Sequence, residues 1–102
     1  MSVLVTIRVR GNAQALEELA AGNPATMQGI RAKAIPHGLI SHRFYASGDD
    51  MMVVDEWESA EGFQSFFAEA TEIPVMMAEV GVTSEPEVTF WRKLETHDDY
   101  PA

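Results

Sequence analysis

The stretch of sequence that decides the fold runs from residue 37 to residue 67 and reads HGLISHRFYASGDDMMVVDEWESAEGFQSFF. Two of its segments, Leu39 to Ala46 and Met51 to Glu58, are rich in β-branched and aromatic residues that favour strands. The Ser-Gly-Asp-Asp sequence between them is typical of a tight turn. Two strands joined by a short polar turn predict a β-hairpin.

A helix is predicted directly after the hairpin. Ser59 is a natural N-cap, and Glu61 lies in the first turn, where the helix dipole favours an acid. Ile73-Pro74 breaks the pattern, and a second short helix follows that ends before Gly81, a residue suited to the left-handed conformation. The apolar side of the helix that follows Ser59 consists of Ala60, Phe63, Phe66, Phe67 and Ala70.

The rest of the chain is predicted to form two more strands and two helices near the N-terminus. Apolar and polar residues alternate from Val3 to Arg10, which predicts a half-buried strand. An apolar stripe with steps of three and four then predicts helices over about 13–21 and 24–34, interrupted at Gly22-Asn23-Pro24. A fourth strand is predicted from Glu87 to Leu94, after the turn at Ser84-Glu85-Pro86.

The resulting order, β-α-β-β-α-β, is the ferredoxin-like arrangement of the α+β class. It predicts one antiparallel four-stranded sheet with helices on one face, in a single domain over residues 1–94 followed by a polar tail over 95–102. The other sheet face has nothing in this chain to cover it, although Leu4, Thr6, Met52 and Val54 make it partly apolar. An uncovered apolar face usually marks an interface, so we expect a homodimer through the open sheet face.

Composition limits the classes of function. The 102 residues contain no cysteine, so neither a disulfide nor a cysteine nucleophile can form, and the net charge is −9. That sign disfavours nucleic acid and anionic membrane surfaces as partners, since both attract basic proteins. Without a secretory signal or an apolar run of about 18 residues, a cytoplasmic location is the expectation.

The 37–67 segment resembles the central signature of the antibiotic biosynthesis monooxygenase-like family of the dimeric α/β barrel superfamily. The shared pattern is a glycine opening the second strand, an acidic turn, a third strand ending in an acid and a Trp, and a capped helix. In this chain these are Gly38, Asp49-Asp50, Asp55-Glu56-Trp57 and Ser59-Ala60-Glu61. The resemblance implies a homodimeric α/β barrel with a cavity between the helices and the sheet of each subunit. It also implies activities that range from cofactor-free oxygenation of aromatic polyketides to haem degradation and isomerisation.

The sequence departs from the family at the positions that carry activity. Polyketide oxygenases have an Asn four residues before the Trp and a Tyr six residues after it, where this chain has Val53 and Phe63. Haem degraders have an Asn on the first strand and a His on the helix after the Trp, and this chain has neither. Haem degradation is therefore disfavoured, and neither activity transfers residue by residue.

Two titratable residues are candidates for proton transfer. Asp55 shares strand parity with Val53 and Trp57, so on a face covered by helices it would be a carboxylate among apolar groups, able to act as a general acid or base. The alternative is a solvated carboxylate at the strand end. His42 is the one histidine placed to meet a pocket, and it too has a structural alternative as a hydrogen-bonded side chain.

An apolar ligand cavity could be lined by six large side chains, which are Trp57, Phe63, Phe66, Phe67, Met27 and Trp91. Ligand pockets usually combine such apolar walls with a few polar groups. The alternative is that these side chains fill the core. For Trp57 the two interpretations are equally balanced, because a buried Trp needs a partner for its N–H group.

These observations favour a small-molecule pocket protein that needs no cofactor and holds no metal. By analogy with the family it resembles, as an enzyme it would be a cofactor-independent monooxygenase-like or isomerase-like protein acting on a hydrophobic or aromatic metabolite. Trp57 would then form a pocket wall, with Asp55 or His42 as the proton-transfer group. The alternative is a non-catalytic dimeric module that binds a ligand or serves in assembly.

Overall fold

The structure is a computed structural model that describes all 102 residues, and its architecture is the α+β order predicted from the sequence. The elements are β1 (Val3–Arg10), α1 (Ala13–Gly22), α2 (Pro24–Ala34), a 3₁₀ turn (Ile35–His37), β2 (Leu39–Ser47), β3 (Asp50–Trp57), α3 (Ala60–Glu69), α4 (Glu72–Glu79) and β4 (Glu87–Trp91).

The four strands form one antiparallel sheet in the order β2-β3-β1-β4, which is the ferredoxin-like topology. β1 lies in the interior of the sheet and pairs along its whole length with β3, from Val3 opposite Trp57 to Arg10 opposite Asp50. On its other side it pairs with β4. β2 is an edge strand, and its register shifts between Leu39 and Ser41.

The helix ends follow the capping residues of the sequence. Asn12 Oδ1 accepts a hydrogen bond from the Ala15 N–H at 3.1 Å, and Ser59 Oγ accepts one from the Gly62 N–H at 3.1 Å. Gly81 has a φ of 75°, as expected for the left-handed residue after α4. These local signals explain why most of the predicted element bounds agree with the structure.

Two element bounds differ from the prediction by more than one residue. α4 begins at Glu72 rather than after Pro74, because a proline in the first helical turn has no hydrogen bond to lose. β4 ends at Trp91 rather than Leu94. Trp91 lies opposite Leu4, and β1 begins only one residue earlier, so further residues of β4 have almost no partner strand.

The core lies between one face of the sheet and the helices, in two neighbouring clusters. The larger contains Val5, Ile7, Ala34, Val53, Trp57, Phe63, Phe66 and Ala70; the smaller contains Val9, Leu16, Met51, Met76 and Val80. Asp55 is the one buried residue of the chain that is polar or charged. A buried charge is costly unless it is paired and hydrogen-bonded, so the surroundings of Asp55 need an explanation.

The opposite face of the sheet is left open, as the sequence predicts. Leu4, Thr6, Met52 and Val54 lie on it, and Leu4 keeps 41% of its surface exposed. No helix of the chain combines the length and the apolar character required to cross a membrane.

Candidate functional site

The register of β2 and β3 places His42 directly opposite Asp55 on the helix-covered face of the sheet. His42 Nδ1 lies 2.6 Å from Asp55 Oδ1, a short hydrogen bond between the two side chains. The Asp55 side chain is 7% exposed, whereas the His42 side chain on the edge strand is 32% exposed. The pair therefore links a buried carboxylate to an imidazole that solvent or a ligand can reach.

Trp57 holds the other oxygen of the same carboxylate. Its indole Nε1–H donates a hydrogen bond to Asp55 Oδ2 at 3.2 Å. The two residues are two positions apart on β3, so both side chains point to the same face. The indole is fully buried and packs against the rings of Phe63 and Phe66, at centroid separations of 5.6 and 5.5 Å. Asp55 is thus positioned from both sides.

The hydrogen bonds assign the imidazole tautomer of His42. An ionised carboxylate can only accept hydrogen bonds, so Nδ1 of His42 carries the proton that lies toward Asp55. In the neutral ring, Nε2 then has a free lone pair and makes no hydrogen bond within the chain. The ring is also fixed edge-to-face against Phe44, with the centroids 5.0 Å apart. This arrangement orients Nε2 as a proton acceptor.

A cavity adjoins the pair, between the sheet and helices α2, α3 and α4. The residues that line it are Ile7, Met27, Ile30, Arg31, Ala34, Leu39, His42, Phe44, Val53, Asp55, Phe63, Phe66, Phe67, Ile73, Met76 and Met77. Thirteen of the sixteen are hydrophobic, and the polar ones are Arg31, His42 and Asp55. An apolar enclosure with a few convergent polar groups is typical of a small-molecule site.

The volume of the cavity is about 60 Å³. Pockets for drug-sized ligands begin at about 300 Å³, so a ligand of that size requires the walls to move. Three of the lining side chains are Met27, Met76 and Met77, and methionine adapts readily because it is unbranched and flexible. The helical wall, which carries these methionines, is therefore the one best able to move and enlarge the cavity.

The structure brings together most of the site residues named from the sequence. His42 and Asp55 line the cavity together with Met27, Phe63 and Phe67. Trp57 does not line it; its indole is buried behind Asp55, where its contribution is the hydrogen bond to the carboxylate. The predicted wall role of Trp57 is thereby replaced by a positioning one.

The prediction that Trp91 lines the cavity is wrong. Trp91 lies opposite Leu4 on the open face of the sheet, is 52% exposed, and donates a hydrogen bond from Nε1 to Thr6 Oγ1 at 2.9 Å. The residue before it, Phe90, points to the helix side and meets Phe63 edge-on at 5.7 Å. β4 is so short that the alternation of apolar and polar residues in the sequence does not show which of its side chains point toward the helices.

Arg31 is the polar lining residue that the sequence reasoning missed. It lies on α2 four residues after Met27 and three before Ala34, so it occupies a position in the apolar stripe of that helix. A positively charged residue within the apolar stripe of a helix is the sequence feature that could have identified it.

His37, the histidine of the turn before β2, contacts Glu69 instead, with Nε2 3.1 Å from Oε2.

Comparisons with known proteins give structural but not sequence matches. The sequence matches no family model and no curated protein. Among solved structures, Rv0793 from Mycobacterium tuberculosis is 21% identical, with a TM-score of 0.62 over 95% of this chain and 99% of that chain. The ActVA-Orf6 monooxygenase of Streptomyces coelicolor, solved with nanaomycin D, is 23% identical, with a TM-score of 0.61 over 93% of this chain and 88% of that one.

A third similar structure is SnoaB, a cofactor-independent oxygenase from Streptomyces nogalater. It is 14% identical to this chain, with a TM-score of 0.61 over 96% of this chain and 98% of its own. Structural similarity at such low identity establishes the fold and leaves the activity open. The chain has the fold of the antibiotic biosynthesis monooxygenase structures, over nearly its whole length.

Proposed function

We propose that this protein binds a hydrophobic or aromatic small molecule in the cavity beside His42 and moves one proton of that molecule. The observation that carries the proposal is the hydrogen-bonded series Trp57, Asp55 and His42, at the wall of a cavity that is otherwise almost entirely apolar. A buried carboxylate is costly, and its placement behind a histidine is the arrangement that general-base catalysis uses.

His42 is the proton-transfer group of this proposal. Its Nε2 accepts a proton from the bound ligand, and Asp55 stabilises the imidazolium ion through the bond at Nδ1. Asp55 itself has both oxygens engaged, by His42 and by Trp57, so it acts as the positioning residue. The two hydrogen bonds of Asp55 support this choice of His42 over Asp55 as the proton-transfer group.

The fate of the ligand anion decides the reaction class. Return of the proton to another atom is an isomerisation and needs nothing else. In an oxygenation the anion supplies electrons to O₂, and a methylene group becomes a carbonyl: CH₂ plus O₂ gives C=O plus H₂O, with no external reductant. The similarity in fold to SnoaB, which is a cofactor-independent oxygenase, favours the second reaction.

Anthrone tests the proposal, because it is a flat aromatic ketone with one acidic methylene group. We expect the protein to accelerate exchange of that methylene in D₂O, observed by proton NMR, and to accelerate O₂ uptake with formation of anthraquinone. The His42→Gln variant should lose about 100-fold or more of either rate. His97→Gln, which removes an exposed histidine of the tail, is the matched control and should keep the wild-type rates.

A non-catalytic ligand binder is the second candidate, favoured by the small volume of the cavity. Nanaomycin D, bound by the Streptomyces coelicolor structure, is a suitable probe of binding alone. If it shifts the NMR signals of His42 while anthrone is neither exchanged nor oxidised, the protein is a binder. If neither compound perturbs His42, the pocket proposal fails.

The proposal includes a second copy of the chain on the open sheet face. Leu4, Tyr45 and Trp91 are each at least 41% exposed there, beside half-buried Met52 and Val54. No element of the chain covers this face. A two-fold axis through it would bury the same patch on both subunits, as in most homodimers.

Light scattering tests the dimer. We expect twice the 11.3 kDa mass of one chain at micromolar concentration. Val54→Glu places a charge at the centre of the face and should give the single-chain mass, while Gln64→Glu on the exposed side of α3 should keep the dimer. A single-chain mass for the unmodified protein at every concentration would exclude the dimer.

A further inference from the structure

We propose that Arg31 makes the cavity selective for ligands that carry one anionic oxygen, either a carboxylate or the oxygen of a phenolate or enolate. This inference rests on the proposed function, because it names the class of molecule that the same cavity accepts. It concerns a residue on α2, across the cavity from the strands that carry His42 and Asp55.

The position of Arg31 places a positive charge in an apolar wall. The residue lines the cavity beside Met27, Ile30 and Ala34 of the same helix, and it is also exposed to solvent. It therefore lies where the cavity opens. An arginine can cover apolar surface with its stem while its guanidinium group stays at the wet end.

Arg31 lacks the acidic partner that most cations of this chain have. Of the 7 lysines and arginines, Arg8, Arg10, Lys33 and Lys93 form ion pairs with Asp or Glu. Arg31, Arg43 and Arg92 form none, although the chain has 16 acidic residues. Of these three, Arg31 alone lines the cavity. Its fork of donors is thus free to bind a ligand.

The polar groups left for a ligand define its chemistry. Both oxygens of Asp55 are occupied, so the polar side chains left for a ligand are those of His42 and Arg31. The guanidinium group matches a carboxylate through two parallel hydrogen bonds and stabilises a single oxyanion through one.

The same cation also fits the proton transfer proposed above. When His42 removes a proton from a ketone or phenol, negative charge develops on the oxygen of the ligand. A cation at that oxygen stabilises the anion as it forms, which is the usual role of an oxyanion-binding group. Arg31 would then act on both binding and rate, whereas the other unpaired arginines would act on neither.

A matched pair of ligands tests the inference. 2-Naphthoate and 2-naphthamide have the same ring system and nearly the same shape, and they differ in the charge of one group. We expect the protein to bind 2-naphthoate at least about tenfold more tightly than the amide, measured by calorimetry at low salt. Arg31→Gln should abolish that preference while leaving the affinity for 2-naphthamide within about twofold.

Arg92→Gln is the control variant. It removes the same charge from the chain, also at an exposed arginine without an ion pair, but outside the cavity. It should keep the preference for 2-naphthoate. Arg31→Lys should keep only part of it, since a lysine retains the charge without the planar fork.

The outcomes separate the two proposals. If both compounds bind to the unmodified protein with equal affinity, or if the preference persists in Arg31→Gln, the role of Arg31 is overturned and the pocket stands. If neither compound binds, the pocket proposal fails, and with it the inference on Arg31. A preference that Arg92→Gln also abolishes would assign the selectivity to overall charge and overturn the inference.

Discussion

Nδ1 of His42, on the edge strand β2, lies 2.6 Å from Oδ1 of Asp55, on the adjoining strand β3. This contact joins the one buried charged residue of the chain to a ring that is 32% exposed. The Trp57 indole completes the arrangement from behind. A carboxylate placed this way is stable because both of its oxygens have donors, and it leaves the far nitrogen of His42 free for a ligand.

Asp55→Ala is expected to destabilise the fold. The variant leaves the buried Trp57 N–H without an acceptor, which costs about 1–3 kcal/mol in the free energy of unfolding. It also removes the partner that fixes the His42 tautomer, so the ¹⁵N signals of that ring should change. Chemical denaturation and NMR measure the two effects. Asp49→Ala, at the exposed hairpin turn, should stay within about 0.5 kcal/mol of the unmodified protein. Equal stability of the two variants would contradict this account of Asp55.

Trp57→Phe is expected to weaken the hold on Asp55 while keeping an aromatic ring in the core. The loss of the N–H donor and of part of the ring volume should cost about 1–3 kcal/mol. A double-mutant cycle with Asp55→Asn separates the hydrogen bond from the packing. We expect a coupling energy of about 0.5 kcal/mol or more, because the two side chains are in contact. Additive effects would mean that Trp57 only fills the core.

Met27→Ala is expected to enlarge the cavity. The half-buried Met27 side chain is one of its walls, so its truncation should cost about 1–2 kcal/mol of stability and raise the affinity for 2-naphthoate severalfold. Calorimetry measures the affinity, and thermal unfolding the stability. Met52→Ala removes the same atoms from the open face and should leave ligand affinity unchanged. Weaker binding by Met27→Ala would show that the ligand relies on Met27 rather than displaces it.

The ion pair between Lys33 and Glu72 predicts a pH-dependent part of the stability. It joins α2 to α4, the two helices that carry the methionines of the cavity. The hydrogen bond from Lys33, aided by a backbone hydrogen bond, lowers the pKa of Glu72 below its ordinary value of 4.5. The pKa of Glu72 is lower in the folded state than in the unfolded chain. The stabilisation by ionised Glu72 is therefore fully present above the ordinary pKa of 4.5, and it is lost as the pH falls through the lowered pKa.

Glu72→Gln tests this effect by denaturation at several pH values. The variant should be less stable than the unmodified protein at about pH 6 and above, and the difference should shrink as the pH falls through the lowered pKa of Glu72. The loss should be modest, since the carboxylate is 35% exposed. Glu79→Gln, at a glutamate that forms no ion pair, is the control. A difference that stays the same across the whole acidic range in which the protein remains folded would assign the effect to something other than the charge.

The elements of the fold were predictable because each is marked by local chemistry. Strict alternation in β1, the polar turn after β2, and the caps at Asn12 and Ser59 all act over a few residues. The inward parity of Asp55 was also predictable, since Val53 and Trp57 share its side of β3. Trp91 was misassigned because β4 is short and mostly exposed, so its sequence does not show which side chains face the helices.

The sequence by itself determined the β-α-β-β-α-β order, the buried face of the sheet, and the open face opposite, because these depend on periodicity and on turn residues. Only the tertiary structure decided which side chains of different elements are in contact. The register of β2 on β3 joined His42 to Asp55, and the packing of α2 on the sheet brought Arg31 to the cavity. These contacts join residues distant along the chain, so their geometry depends on how whole elements pack, which no local pattern encodes.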